Sequence, residues 1–124
     1  MQIGALIVDD QEDVRLLIRM IIEAANRGLF VSGEAANGRE ALECIDDCDP
    51  AVVVLDAMMP DVDGVKTAEL IRKRRPGQPM ILCSAYLDDD LRRRAEKAGI
   101  TVCLSKGEFE NIPAAVRDAA ASGW

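Results

Sequence analysis

Five short apolar runs, each followed by a longer amphipathic stretch, constrain the fold of this chain more than any other feature. The runs occupy residues 5–8, 30–35, 52–55, 80–84 and 101–105. Their length, their Val and Ile content and their turn-rich borders fit strands. Leu6-Ile7-Val8 and Val52-Val53-Val54-Leu55 are unbroken, as expected of strands buried on both faces. In the first long stretch Val14, Leu17, Ile18, Ile21 and Ala25 recur at helical spacing and predict one apolar face. Further helical patterns cover residues 39–48, 65–75, 88–98 and 111–121. Gly28, Asn37-Gly38, Pro50, Pro76-Gly77 and Gly99 mark the borders, and Pro113 falls where a first helical turn tolerates it.

Alternating strands and helices predict an α/β fold with a parallel sheet covered on both faces. Right-handed crossovers leave few topologies. The commonest for five strands is the flavodoxin-like (βα)5 three-layer sandwich with strand order 2-1-3-4-5. The 124 residues are expected to form one domain, 1–124, without repeats or linkers. Sites in such sheets form beyond the C-terminal strand ends, near the switch between strands 1 and 3.

Composition removes several classes of function. The formal charge is −7, and the basic runs Arg72-Lys73-Arg74-Arg75 and Arg92-Arg93-Arg94 are short and flanked by acids. Direct nucleic-acid binding is therefore not expected. No apolar stretch reaches the roughly 18 residues of a membrane span, and residues 3–8 are too short for a signal sequence, so a cytoplasmic location is expected. Four cysteines lack CxxC spacing and the chain has no His, which predicts small reduced core residues rather than a zinc site or disulfides.

Chemistry gathers at the ends of the apolar runs: Asp9-Asp10 after the first, Asp56 after the third, Ser84 closing the fourth, Ser105-Lys106 after the fifth. Two like charges about 4 Å apart repel by roughly 4 kcal/mol at an effective dielectric near 20, so clustered carboxylates need a cation. A hard divalent ion suits an all-oxygen set, and Mg²⁺ is the natural choice. With Lys106 as a second cation and Ser84 as a donor, one carboxylate is free to act as a nucleophile toward a phosphoryl group.

Asp9-Asp10, the segment Asp56-Ala57-Met58-Met59-Pro60-Asp61-Val62-Asp63-Gly64, Ser84-Ala85 and Lys106 together resemble the signature of response-regulator receiver domains. The resemblance spans nearly the whole chain. It implies that Asp56 is the phosphoacceptor and that Mg²⁺ is held by Asp9, Asp10, Asp56 and the Met58 backbone carbonyl. It further implies that Ser84 is the switch hydroxyl and that Lys106 pairs with the phosphoryl group. The implied partners are a histidine kinase or histidine phosphotransfer protein upstream, and an output domain or downstream protein. The implied activity is limited to the chain's own phosphorylation and slow dephosphorylation. The switching surface would be the fourth helix, fifth strand and fifth helix, and the mixed charges between Asp88 and Arg94 are either a solvated face or a surface that pairs with a second copy as a homodimer on phosphorylation.

Two positions depart from the family pattern. Cys103 stands where an aromatic residue usually precedes the lysine, so the switch works without one or borrows Tyr86 or Phe109. Gly107 follows Lys106 in place of the usual proline, which predicts a trans peptide bond there. Met58 and Tyr86 are expected to shield the phosphoryl group and prolong its life. A haloacid-dehalogenase-type phosphatase would need a second Asp where Met58 stands, and a flavin module would need a phosphate loop where Asp9-Asp10 would repel phosphate. A pseudo-receiver would lack one or more of the five site residues.

Overall fold

Along the first strand, β1 (Ile3–Val8), alternate side chains leave the sheet on opposite faces. Leu6 and Val8 enter one core, Ala5 and Ile7 the other, all at 0–1% exposure. The structure, a computed structural model, describes residues 2–100 and 102–122. After β1 come α1 (Glu12–Ala25), β2 (Leu29–Ala35), α2 (Gly38–Cys48), β3 (Val52–Asp56) and α3 (Gly64–Arg74). Then follow β4 (Met80–Ser84), α4 (Asp89–Lys97), β5 (Val102–Ser105), a 3₁₀ turn (Lys106–Asn111) and α5 (Ile112–Ser122). The five strands are parallel in the order β2-β1-β3-β4-β5. The expected topology is therefore the observed one. Position 101, assigned to the fifth run, lies outside the described residues.

The two faces of the sheet are closed by different helices. Leu6, Val53, Leu55, Met80 and Leu82 pack against Ile45 of α2, Val65 and Ile71 of α3, and Leu91 of α4. Ile7, Val54, Ile81 and Leu104 pack against Ile18 and Ile22 of α1 and Ile112 and Val116 of α5. Each fully buried Ile or Leu contributes roughly 1.5–3 kcal/mol of transfer free energy. The central strands are pinned deeply enough to hold their C-terminal ends in fixed register. Pairing sets Val8 opposite Leu55, Asp56 opposite Cys83 and Ser84 opposite Ser105, so the chemistry-bearing residues arrive at one edge.

Helix boundaries follow local capping. Asn37, Asp63 and Asp88 accept the backbone N–H three residues on and start α2, α3 and α4. Gly28, Gly77 and Gly99 all have φ between 86° and 90°, where a side chain would be strained.

Two details differ from the sequence expectation. On α1 the buried edge is Ile18 and Ile22, and Leu17, assigned to the apolar face, is 45% exposed. The helix carries more apolar residues than one face can bury, so Leu16, Leu17 and Met20 point outward. Of the cysteines, Cys83 is buried, whereas Cys44, Cys48 and Cys103 are only half-buried. Lys106 opens the 3₁₀ turn, which Ser105 and Glu108 close in a capping box.

The basic run at the end of α3 is partly neutralised by α2: Arg74 pairs with Asp46, and Arg75 with Asp46 and Asp49. On α4, Asp90 pairs with Arg93 and Arg94 of its own helix, which partly satisfies the charges expected to meet a second copy. No peptide bond among the described residues is cis.

Candidate functional site

Four parallel strands deliver the site. β1 ends one residue before Asp9, β3 ends on Asp56, β4 ends on Ser84, and β5 ends one residue before Lys106. Carboxylate oxygens of Asp9, Asp10 and Asp56 lie within 4.8 Å of one another. Asp9 and Asp56 are 2% and 4% exposed, whereas Asp10 faces solvent. The Lys106 ammonium reaches both buried acids, at 3.4 Å from Asp9 Oδ2 and 3.3 Å from Asp56 Oδ1.

Backbone groups hold the acids in place. Asp9 Oδ1 accepts the Gln11 N–H at 2.9 Å, and Asp56 Oδ1 accepts the Met58 N–H at 3.3 Å. The Ala57 N–H donates to the Cys83 carbonyl and the Gly64 N–H to the Ala57 carbonyl, so α3 begins hard against the end of β3. A Cβ on Gly64 would run into the Asp56 carbonyl. That glycine is required by close approach. The motif carried it without saying why.

Burial pushes the Asp56 carboxyl up from its ordinary value, the neighbouring Asp9 charge pushes it further, and Lys106 offsets only part of this. Burial alone would lower Lys106, but Asp56 and Asp9 outweigh it and hold the ammonium above its usual range. Three carboxylates facing one ammonium leave two negative charges uncompensated, the charge of one divalent cation. An all-oxygen set with two buried members fits a hard ion such as Mg²⁺ and offers nothing to a soft one.

Ser84 is brought to the same edge but is not engaged with the acids. Its hydroxyl donates to the Tyr86 carbonyl at 2.7 Å and accepts the Tyr86 N–H at 3.2 Å. Met58 and Tyr86 are 74% and 77% exposed. Both line a cavity of about 330 Å³ with Ala57, Ser84 and Arg94. They stand at its rim.

Residues 5–117 match the response regulator receiver domain family. The chain belongs to that family. Among curated relatives, the chemotaxis protein CheY of Thermotoga maritima is 39% identical over 94 residues, which is 76% of this receiver domain and 77% of the relative. The response regulator protein VraR of Staphylococcus saprophyticus is 30% identical over 118 residues, 94% of this chain but only 56% of the relative. Among solved structures, the response regulator domain of Thermotoga maritima CheB superposes with a TM-score of 0.88 at 25% identity, covering 98% of both chains. Among the described residues of the receiver domain, no helix is long and apolar enough to cross a membrane.

Sequence reasoning passed over two contacts made to Asp9 from outside the acidic cluster. Gln11 and Arg15 both reach back to Asp9. An arginine six residues past an aspartate is not distinctive in sequence, and only the start of α1 at Glu12 turns it back toward the acid.

Proposed function

We propose that this receiver domain is a working phosphoacceptor, in which Asp56 takes a phosphoryl group from a histidine kinase or histidine phosphotransfer protein in a Mg²⁺-dependent step. The observation that carries this reading is the meeting of buried Asp56 with Asp9, Asp10 and Lys106 at one sheet edge. A pseudo-receiver has no need to bear the cost of that cluster. An Asp56 carboxylate oxygen forms the new O–P bond as the P–N bond to the donor imidazole breaks, and the donor nitrogen leaves with the electron pair. Mg²⁺ held by Asp9, Asp10, Asp56 and the Met58 carbonyl would neutralise charge on the transferring group.

Lys106 already sits within 3.4 Å of two acids and needs only to turn toward a phosphoryl oxygen. Ser84 must give up its bond to the Tyr86 carbonyl, a net loss of about 0.5–1.5 kcal/mol, for a charge-assisted bond worth about 1.5–3 kcal/mol. That exchange biases the loop leading into α4, whose start is capped by Asp88. The α4–β5–α5 surface would then report the change to an output domain, a partner or a second copy. Cys103 gives β5 no aromatic to rotate, so the switch rests on the Ser84–Tyr86 loop. Leu16, Leu17 and Met20 stand exposed on the helix that begins beside Asp9, and Met58 and Tyr86 stand at the cavity rim. Such an apolar border suits a protein donor that presents its histidine from a helix. The setting we propose is the cytoplasm, and the proposed unit is one domain, 1–124, whose catalysis is limited to its own phosphorylation and slow dephosphorylation.

Intact mass after incubation with Mg²⁺ and acetyl phosphate tests the reading. One added phosphoryl group, lost when Mg²⁺ is chelated from the start or when Asp56 is changed to Asn, is expected. No gain from acetyl phosphate or from a panel of phosphorylated histidine donors would refute it.

A further inference from the structure

Asp9 is satisfied at every polar atom, whereas the Asp10 side chain has no hydrogen bond to any described residue. The main-chain N–H of Asp9 donates to the Ala35 carbonyl at 3.1 Å, and its Oδ1 accepts the Gln11 N–H at 2.9 Å. Its Oδ2 receives Lys106 at 3.4 Å, and its main-chain carbonyl accepts Arg15 Nη1 at 2.6 Å. Arg15 is itself pinned: Nε donates to Glu34 Oε1 at 3.2 Å, and Arg19 takes the other Glu34 oxygen at 2.6 Å. The Arg15 side chain is 16% exposed.

The peptide plane between Asp9 and Asp10 joins these observations. Its carbonyl belongs to Asp9 and its N–H to Asp10, and the six atoms are coplanar. Fixing the carbonyl direction fixes the direction in which the Asp10 Cα leaves, and with it where the Asp10 carboxylate can reach. A guanidinium can span a carbonyl and a carboxylate at once because its donors diverge from a rigid plane, which an ammonium lacks. α1 has no side-chain cap of its own at Gln11, and Arg15 joins the Gln11 N–H in tying the first turn of the helix to the acidic loop.

We propose that Arg15, braced by Glu34 of the edge strand β2, is a positioning residue for the divalent-cation site: it orients the Asp9–Asp10 peptide so that Asp10 meets Asp9 and Asp56. This deepens the reading above and rests on it. Arg15 touches neither the phosphoryl group nor the ion and acts through the loop. Its partners hold it from two elements, which is why a solvent-facing ligand stays within 4.8 Å of the buried ones.

The test is Mg²⁺ affinity by isothermal titration on the full chain, for wild type, Arg15→Ala, Arg15→Lys and Glu34→Gln. Loss of an outer partner of a metal ligand costs about 10–100-fold in affinity. A Kd weakened about 10-fold is expected in Arg15→Ala and Arg15→Lys, and a smaller loss of the same sign in Glu34→Gln. The maximal phosphorylation rate from acetyl phosphate at saturating Mg²⁺ should stay within about twofold of wild type, because Asp56, Ser84 and Lys106 are untouched. Wild-type binding with unchanged Kd in Arg15→Ala and Glu34→Gln would overturn the role of Arg15 alone. An equal fall in the saturated rate would make its role catalytic rather than positioning and also overturn it. A wild-type chain that binds no Mg²⁺ would overturn the metal reading on which the role rests.

Discussion

Replacing Asp56 with Asn should make the metal-free protein more stable, although it removes the proposed reaction centre. Carboxylate oxygens of Asp9 and Asp56 lie within 4.8 Å, which at an effective dielectric of about 20 is a repulsion near 3.5 kcal/mol. Lys106 at 3.3 Å returns about 5 kcal/mol to Asp56 on the same scale. Asp10, facing solvent, adds on the order of 1 kcal/mol of repulsion at a dielectric close to water. These terms nearly cancel, so the sign is set by desolvation, which amounts to several kcal/mol for a buried carboxylate. Asparagine keeps the shape, drops the charge, and should gain roughly 1–3 kcal/mol. For 124 residues that corresponds to about 4–12 °C in Tm. Thermal and urea unfolding in EDTA measure it.

The pH dependence carries the same signature. The Asp56 carboxyl is raised in the folded state, so the folded protein holds that proton over a window where the unfolded chain has lost it. Stability of the wild type therefore falls as pH rises from the ordinary carboxylate value through the raised one, and Asp56→Asn lacks that fall. The gap between them opens across the window and closes below it. Adding Mg²⁺ should narrow the gap at neutral pH by stabilising the wild type more. A variant less stable than wild type in EDTA at neutral pH would refute this account of the site's electrostatics.

Gly64→Ala should lose about 1–3 kcal/mol on urea unfolding and slow phosphorylation, because the new Cβ meets the Asp56 carbonyl; unchanged stability would mean that this approach is not tight. Met58→Ala with Tyr86→Ala should shorten the life of the phosphorylated state, followed by mass after removing the donor, since both side chains line the cavity next to Ala57 and Ser84. A lifetime equal to wild type would sink the shielding idea. The Cys83 thiol, buried and pushed up to about 12 by burial, should resist alkylation in the native protein and react on unfolding; rapid native labelling would show the β4 core to be open.

The fold was legible because two periodicities alternate cleanly. Val52-Val53-Val54-Leu55 has no polar face, and α3 and α4 are bracketed by Asp caps and glycines. The convergence of Asp9, Asp56 and Lys106 followed from strand ends in a parallel sheet, where topology does the aiming. Side-chain choices made by packing were not legible. Leu16, Leu17, Ile18, Met20, Ile21 and Ile22 offer several possible apolar faces, and only docking against β1 and α5 selects Ile18 and Ile22. The engagement of Ser84 with Tyr86 depends on a turn two residues long, and the reach of Arg15 depends on where α1 begins. Neither leaves a periodic trace.

The most direct test of the central claim is to locate the phosphoryl group chemically. Borohydride reduction of the phosphorylated protein converts an aspartyl phosphate to homoserine, and peptide mass mapping then reads the position. Homoserine at position 56, formed only in the presence of Mg²⁺, is the result this account predicts. Homoserine at 9 or 10, or a modified side chain other than an aspartate, would contradict it.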